Sequence, residues 1–192
     1  MVKFAFIGTH GVGKTTLCFE LAALLKKRDR VVEMVHEVAR FCPLPINRET
    51  TTDAQSWILH TEIASELEAQ HKAEIVICDR SVLDNYCYLL QAGRAPMIEP
   101  LVRWWTATYD LLIKVPIVSP PGFDGLRDTD TAFQRKIDET IETTLAEWDF
   151  PAVRLDRERR ADWAADSLES ILPLLGPVQQ PLFGEAPSEA TR

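Results

Sequence analysis

The chain is short of several things. It has four cysteines, Cys18, Cys42, Cys78 and Cys87, and no C-x-x-C pair among them. Cys18 and Cys78 lie inside apolar runs, which suits packing better than bridging, so the expected setting is a reduced cytoplasm. No apolar run approaches the ~20 residues of a membrane span. The opening residues lack a basic segment followed by a signal-type apolar stretch and a cleavage site. Positive charge is in deficit as well: 21 Lys and Arg face 29 Asp and Glu, for a net charge of −8. That balance argues against a broad surface for nucleic-acid backbone, although a local basic cleft stays compatible with it.

What is present fits an ordinary globular core. Hydrophobic residues make up 46% of 192 residues, and a chain of that size suggests one domain that buries roughly 70% of its unfolded surface. Strand and helix candidates alternate. The strands are Val2–Ile7, Val31–Val35, Glu74–Cys78, Leu111–Val115 and Val153–Leu155, in continuous apolar runs that suit a parallel sheet buried on both faces. The helices are Lys14–Arg28, Asp53–Lys72, Ser81–Gln91 with Gly93 as its C-cap, Pro100–Thr108, Asp130–Glu147 and Asp162–Leu175. In the second helix Trp57, Leu59, Ile63, Leu67 and His71 are the expected inward points. The alternation predicts an α/β fold over residues 1–175. Residues 176–192 hold three prolines and two glycines without a periodic apolar face, and are expected to form a mobile tail.

The chemistry begins at residues 8–15, Gly-Thr-His-Gly-Val-Gly-Lys-Thr. This fits G-x-x-x-x-G-K-[ST] between an apolar strand and a helix start, where a phosphate-binding loop belongs. Gly8, Gly11 and Gly13 let backbone N–H groups turn inward, and the following helix N-terminus adds its own. Lys14 is the point charge for β- and γ-phosphates, and the Thr15 hydroxyl is the expected Mg²⁺ ligand. Thr16 is expected at the α-phosphate or capping the turn. His10 and Val12 occupy variable positions of the nucleotide-binding stretch, with His10 expected to face solvent.

Other charged residues stand at the carboxyl ends of strands, where ligands bind in such sheets. Asp79 ends the third strand, as a metal-supporting carboxylate does. Glu37 ends the second and is the candidate general base, the alternative being an ion pair with Arg40 or Arg80. Arg40 and Arg80 are candidate substrate contacts. So is Asp84, although Ser81–Asp84 also fits a capping box. A loop over Ser119–Asp130 is long enough to be functional. It carries Asp124 and Arg127, with Arg127 a candidate to close over the transferred phosphoryl. Arg135 is expected in solvent. Trp57, Trp104 and Trp105 can stack on a base, but core packing is the commoner fate.

Together Gly8–Thr16, His36-Glu37-Val38-Ala39-Arg40, Asp79–Asp84 and Asp124-Gly125-Leu126-Arg127 resemble the P-loop kinase superfamily of nucleoside and nucleotide kinases. More narrowly the chain resembles the AAA_28-type ATPase and kinase group, whose relatives include the nicotinamide riboside kinase domain. The resemblance spans about residues 1–160. The Asp79-Arg80-Ser81 segment is similar to the Asp/Glu-Arg-Ser of deoxynucleoside kinases, whereas Glu37-Val38 stands where those kinases have Glu-Pro. The resemblance implies a three-layer fold with a five-stranded parallel sheet in the order 2-3-1-4-5. It also implies ATP and Mg²⁺ as cofactors and a small nucleoside, nucleotide or ribosyl acceptor. Two other functions stay open: a regulatory NTP-binding switch with a protein partner, and a kinase for modified bases in DNA or for polynucleotide ends.

Overall fold

A computed structural model describes residues 1–46, 49–93, 96–120, 122 and 129–176. Five strands, β1 (Val2–Ile7), β2 (Val32–Val35), β3 (Ile75–Asp79), β4 (Leu111–Lys114) and β5 (Val153–Arg154), form one sheet in the order β2-β3-β1-β4-β5. All four pairings are parallel. The order is the one that the resemblance implied, in a P-loop NTPase fold.

Alternation along the strands divides the core in two. Phe4 and Phe6 of β1 and Ile75 and Ile77 of β3 face one side. There they pack with Leu17, Leu21 and Leu25 of α1 (Lys14–Lys26) and with Trp163, Leu168 and Ile171 of α6 (Trp163–Ile171). Ala5 and Ile7 of β1 and Val76 and Cys78 of β3 face the other. That side is covered by α2 (Thr52–Gln70), α3 (Val82–Ala92), α4 (Glu99–Thr106) and α5 (Thr131–Glu147). Strands buried on both faces explain why their sequences run apolar without interruption. Helix ends fall close to expectation where a cap fixes them. Thr51 caps α2, Ser81 caps α3 and Asp130 caps α5, each with its side-chain oxygen on a first-turn N–H. The last helix is shorter than expected: it stops at Ile171 and a single turn containing Pro173 follows.

One expectation fails in an informative way. Leu67 of the 52–70 helix and His71 just past its end are exposed, and Trp57 is only half-buried. The buried row is Ala54, Gln55, Ile58, Leu59, Glu62, Glu66 and Ala69, so Leu59 lies inward as expected, and Ile63 is partly buried against the core. Two glutamates on the inner face break the apolar stripe that marks a buried side in sequence. Glu66, 0% exposed, accepts from Lys3 Nζ at 2.7 Å, from Trp105 Nε1 at 2.7 Å and from the Tyr109 hydroxyl. Lys3 Nζ also lies 4.6 Å from the Trp105 ring centroid and 4.4 Å from that of Tyr109. A charge this deep is tolerable because it is paired and hydrogen-bonded. Trp105 is thereby committed to the core, whereas Trp104 is 62% exposed.

The sheet order also positions the site. β1 is flanked by β3 and β4, so consecutive crossovers leave it in opposite directions, and the crevice opens at its carboxyl end. The register pairs Phe6 with Asp79 and Ile7 with Lys114, which brings the Asp79 carboxylate beside the loop after β1.

Candidate functional site

The loop from Gly8 to Gly13 is held by its neighbours rather than by its own side chains. Gly8 has φ +143°, and a Cβ added there would lie 2.8 Å from the Val115 carbonyl oxygen. Its N–H donates to Asp84 Oδ1 at 2.8 Å. The His10 carbonyl accepts from Gln134 Nε2 of α5 at 2.9 Å. Gly13 caps α1 at φ +97°, in the left-handed region that glycine enters without strain. A Gly8→Ala protein is expected to lose about 3 kcal/mol, from backbone strain plus a contact that cannot relax into a flexible side chain. That corresponds to a melting temperature lower by roughly 6–12 °C for a chain of this size. An unchanged thermal melt would refute this account of Gly8.

His10 corrects an expectation. It is 4% exposed, not solvent-facing. Its Nδ1 lies 2.9 Å from the Tyr88 hydroxyl and its ring packs on Phe133 at 5.7 Å. Val12 is buried in the core beneath the loop, while Thr16 is exposed at the helix start.

Lys14 folds back on the loop, with Nζ donating to the Gly8 and Thr9 carbonyls at 2.6 Å each. Burial lowers its pKa to about 8, with the Arg80 charge adding to the effect against Asp84, Asp79 and Glu37. A polyphosphate arriving at this ammonium favours its charged form, so nucleotide affinity follows the protonation of the free protein. Above about pH 8 binding must take up a proton, and the metal-free Kd for ATP in EDTA is expected to rise toward tenfold per pH unit. Below pH 8 it is expected to level off; a Kd flat from pH 7 to 10 would contradict the burial argument.

Thr15 Oγ1 donates to Asp79 Oδ2 at 2.6 Å. A hydroxyl and a carboxylate side by side, next to where phosphate oxygens would lie, are the hard donors Mg²⁺ prefers. Burial raises the Asp79 pKa, against the Thr15 hydrogen bond and the Lys14 charge.

Glu37, Arg40 and Arg80 form one cluster. Arg80 Nε donates to Glu37 Oε1 at 2.7 Å and Arg40 Nε to Glu37 Oε2 at 2.9 Å. Both ion pairs weighed from the sequence are therefore present. Burial alone would raise the Glu37 pKa, but Arg80 and Lys14 outweigh it and hold the carboxyl at about 2. Arg80 takes φ +109°, costly for a residue with a side chain. Its guanidinium lies 5.3 Å from the Tyr88 ring centroid, and its Nη1, buried, has no hydrogen-bond partner among the described residues.

Asp84 is turned away from this cluster. It is 0% exposed, with one oxygen on the Gly8 N–H and the other on the Ser81 N–H and hydroxyl at 3.0 and 2.8 Å. It braces the phosphate loop against α3. Arg127 and Asp124 lie outside the described residues, as does the tail from residue 177 onward. Arg135 is exposed on α5, as expected.

Two cavities meet here. One runs along Gly11–Thr16 to Asp79 and Arg160. The other is lined by His10, Ile46, Gln55, Ile58, Asn85 and Tyr88 among others. Glu37 and Arg80 line both. The sequence reading missed Arg160, which belongs to the turn Arg157–Asp162 after β5. Its Nη2 lies 3.9 Å from a Cβ built on Gly13. It also missed Gln55 and Asn85; their only signal was position, one on each helix that walls the second cavity.

A sequence-family profile described as an AAA domain, AAA_28, matches residues 3–163. The chain belongs to the AAA_28 family. No curated protein matches the sequence. Among solved structures, this AAA_28 protein is similar to NadR in complex with NR, with a TM-score of 0.74 and 19% identity over 95% of this chain and 54% of the NadR chain. The AAA_28 chain thus spans about half of NadR. It is also similar to deoxyadenosine kinase from M. mycoides with the products dCMP and dCDP bound, with a TM-score of 0.62 and 18% identity over 91% of this chain and all of the other. At such identities the shared property is the fold. No described helix is long and apolar enough to cross a membrane.

Proposed function

We propose that the protein is a Mg·ATP-dependent phosphotransferase for a small acceptor: a nucleoside, nucleotide or ribosyl compound. The observation that carries this reading is the pair of cavities that share a wall at Glu37 and Arg80. A nucleotide hydrolase needs one cavity and access for water. A second, partly apolar cavity opening onto the phosphate loop suits a bound acceptor whose hydroxyl must meet the γ-phosphate.

In this reading the loop N–H groups and Lys14 hold the β- and γ-phosphates. Thr15 and Asp79 would hold Mg²⁺, which when bound neutralises charge on the phosphates. Arg160 lies where it would contact the nucleotide along Gly13. Arg80, which lines both cavities, would stabilise negative charge where they meet. Glu37, ionised throughout the working pH range, orients the acceptor hydroxyl and receives its proton late, as a largely dissociative transfer allows. Arg127 is proposed as the group that closes over the transfer. Deoxyadenosine kinase, with dCMP and dCDP bound, and NadR, in complex with NR, share the fold, which supports the acceptor class.

The test is acceptor-dependent ADP formation over a panel of nucleosides, nucleotides and nicotinamide riboside. Stimulation of at least tenfold by one class is the expected result. Steady ATP hydrolysis indifferent to every acceptor would overturn the proposal and favour an NTP-binding switch.

A further inference from the structure

The acceptor cavity contains two amides whose nitrogen ends are already spoken for. Asn85 Nδ2 donates to Glu62, and Gln55 Nε2 donates to Thr50 Oγ1 at 2.8 Å. Both residues are 4% exposed and both line the cavity. Among the described residues neither amide oxygen accepts a hydrogen bond. Each amide oxygen is therefore left to accept from a ligand, while one N–H of each NH₂ group is held by its protein partner.

We propose that Glu62 is a positioning residue of the acceptor cavity. It holds the Asn85 amide with its carbonyl toward the ligand, so that the cavity selects acceptors bearing an NH₂ group, on a base or in a carboxamide. This rests on the phosphotransferase reading and refines it.

Glu62 lies on α2 and does not itself line the cavity. The groups facing it are Glu66 one turn along its own helix, Asp79 and Arg80 at the end of β3, and Asp84 and Asn85 of α3. Burial first, then the Glu66 and Asp84 carboxylates, push its carboxyl well above the usual range, against Arg80. The apolar part of the cavity, Ala39, Ile46, Ile58 and the Tyr88 ring, suits the flat remainder of a base. A ligand that presents a carbonyl instead of an amine sets acceptor against acceptor and leaves buried oxygens without partners. Such a mismatch lowers affinity about 10- to 100-fold.

The experiment compares acceptors that differ in whether they bear the NH₂ group: adenosine with inosine, cytidine with uridine, and nicotinamide riboside with nicotinic acid riboside. The wild type is expected to favour the amine or amide member at least tenfold in kcat/KM. In Glu62→Leu that ratio is expected to fall toward one, with the loss appearing in the acceptor KM and not in kcat. Glu62→Gln, which can still accept from Asn85, is expected to restore most of the ratio. Should the Glu62 variants fail to fold, Asn85→Leu must give the same collapse. A wild type that prefers the carbonyl member, or a ratio untouched in Glu62→Leu, overturns this inference while leaving the phosphotransferase reading intact. If no acceptor is phosphorylated at all, both fall together.

Discussion

Lys14→Ala is expected to lower kcat/KM for ATP by about 10³-fold, the upper range for removal of one charged donor at a transferring phosphoryl group. The effect is large because the ammonium has no substitute at its position. Lys14 is 5% exposed and donates to two carbonyls of its own loop, so water cannot take its place once a nucleotide is seated. Arg80 is the cation whose charge acts on Lys14, and Glu37 holds its Nε. Lys14→Arg is expected to recover little, since a longer planar fork cannot turn back between Gly8 and Thr9 as a point charge does. Folding should survive: the side chain is buried against its own loop, but none of the ion pairs among the described residues involves it. The checks are steady-state kinetics, the ATP Kd by calorimetry and a thermal melt. A melt unchanged with activity lost places Lys14 in the nucleotide site; activity retained within tenfold would remove the phosphate loop from the mechanism.

Much of this site was legible because its parts obey local rules. The Gly8–Thr15 spacing is enforced by backbone geometry, and geometry of that kind leaves a readable motif. Glu37, Asp79 and Arg80 were legible because they stand where apolar runs stop, and in a parallel sheet those ends converge. Asp84 stands in the sequence as a candidate substrate contact with a capping box as the alternative; the capping box forms, and no rule of spacing predicts that its other oxygen reaches back 76 residues to the Gly8 N–H. The burial of His10 depends on Tyr88 and Phe133, which approach from helices far along the chain. The inner face of the second helix was misjudged because Glu62 and Glu66 are buried, and charge normally marks the outer face. Their partners, Lys3, Trp105, Tyr109 and Asn85, come from four other segments. Arg160 is one of several arginines in an exposed turn, and only the folding of that turn beside Gly13 distinguishes it. Residues that act through local backbone form were visible in sequence. Residues that no strand end or motif marks, such as Glu62, Glu66 and Arg160, were not.

Glu37→Gln is expected to lower acceptor-dependent kcat by about 10²- to 10⁴-fold while changing the ATP Kd only a few-fold. The carboxylate has two tasks, and the amide does neither well. It must stay ionised to receive a proton, and it must hold two guanidiniums, Arg80 at 2.7 Å and Arg40 at 2.9 Å. An amide keeps the volume but turns an NH₂ group toward one of those cations, which frees Arg80 beside Lys14 and misplaces the donor that the transferred group needs. Glu37→Asp separates the tasks: the charge remains, the reach shortens by one methylene, and an intermediate loss of about tenfold to a hundredfold is expected. The pH profile supplies an independent check. With its pKa held at about 2, Glu37 stays ionised at every pH where the protein is folded and assayed, so it contributes no acid limb to kcat between pH 5 and 8. The same shift stabilises the fold above the ordinary carboxylate pKa, and that contribution fades as pH falls from about 4.5 toward 2. Glu37→Gln should therefore narrow the stability gap to the wild type in acid. An acid limb near pH 6 that vanishes in Glu37→Gln would show instead a base with an ordinary or raised pKa, and would contradict the double arginine clamp as the state in which the protein works.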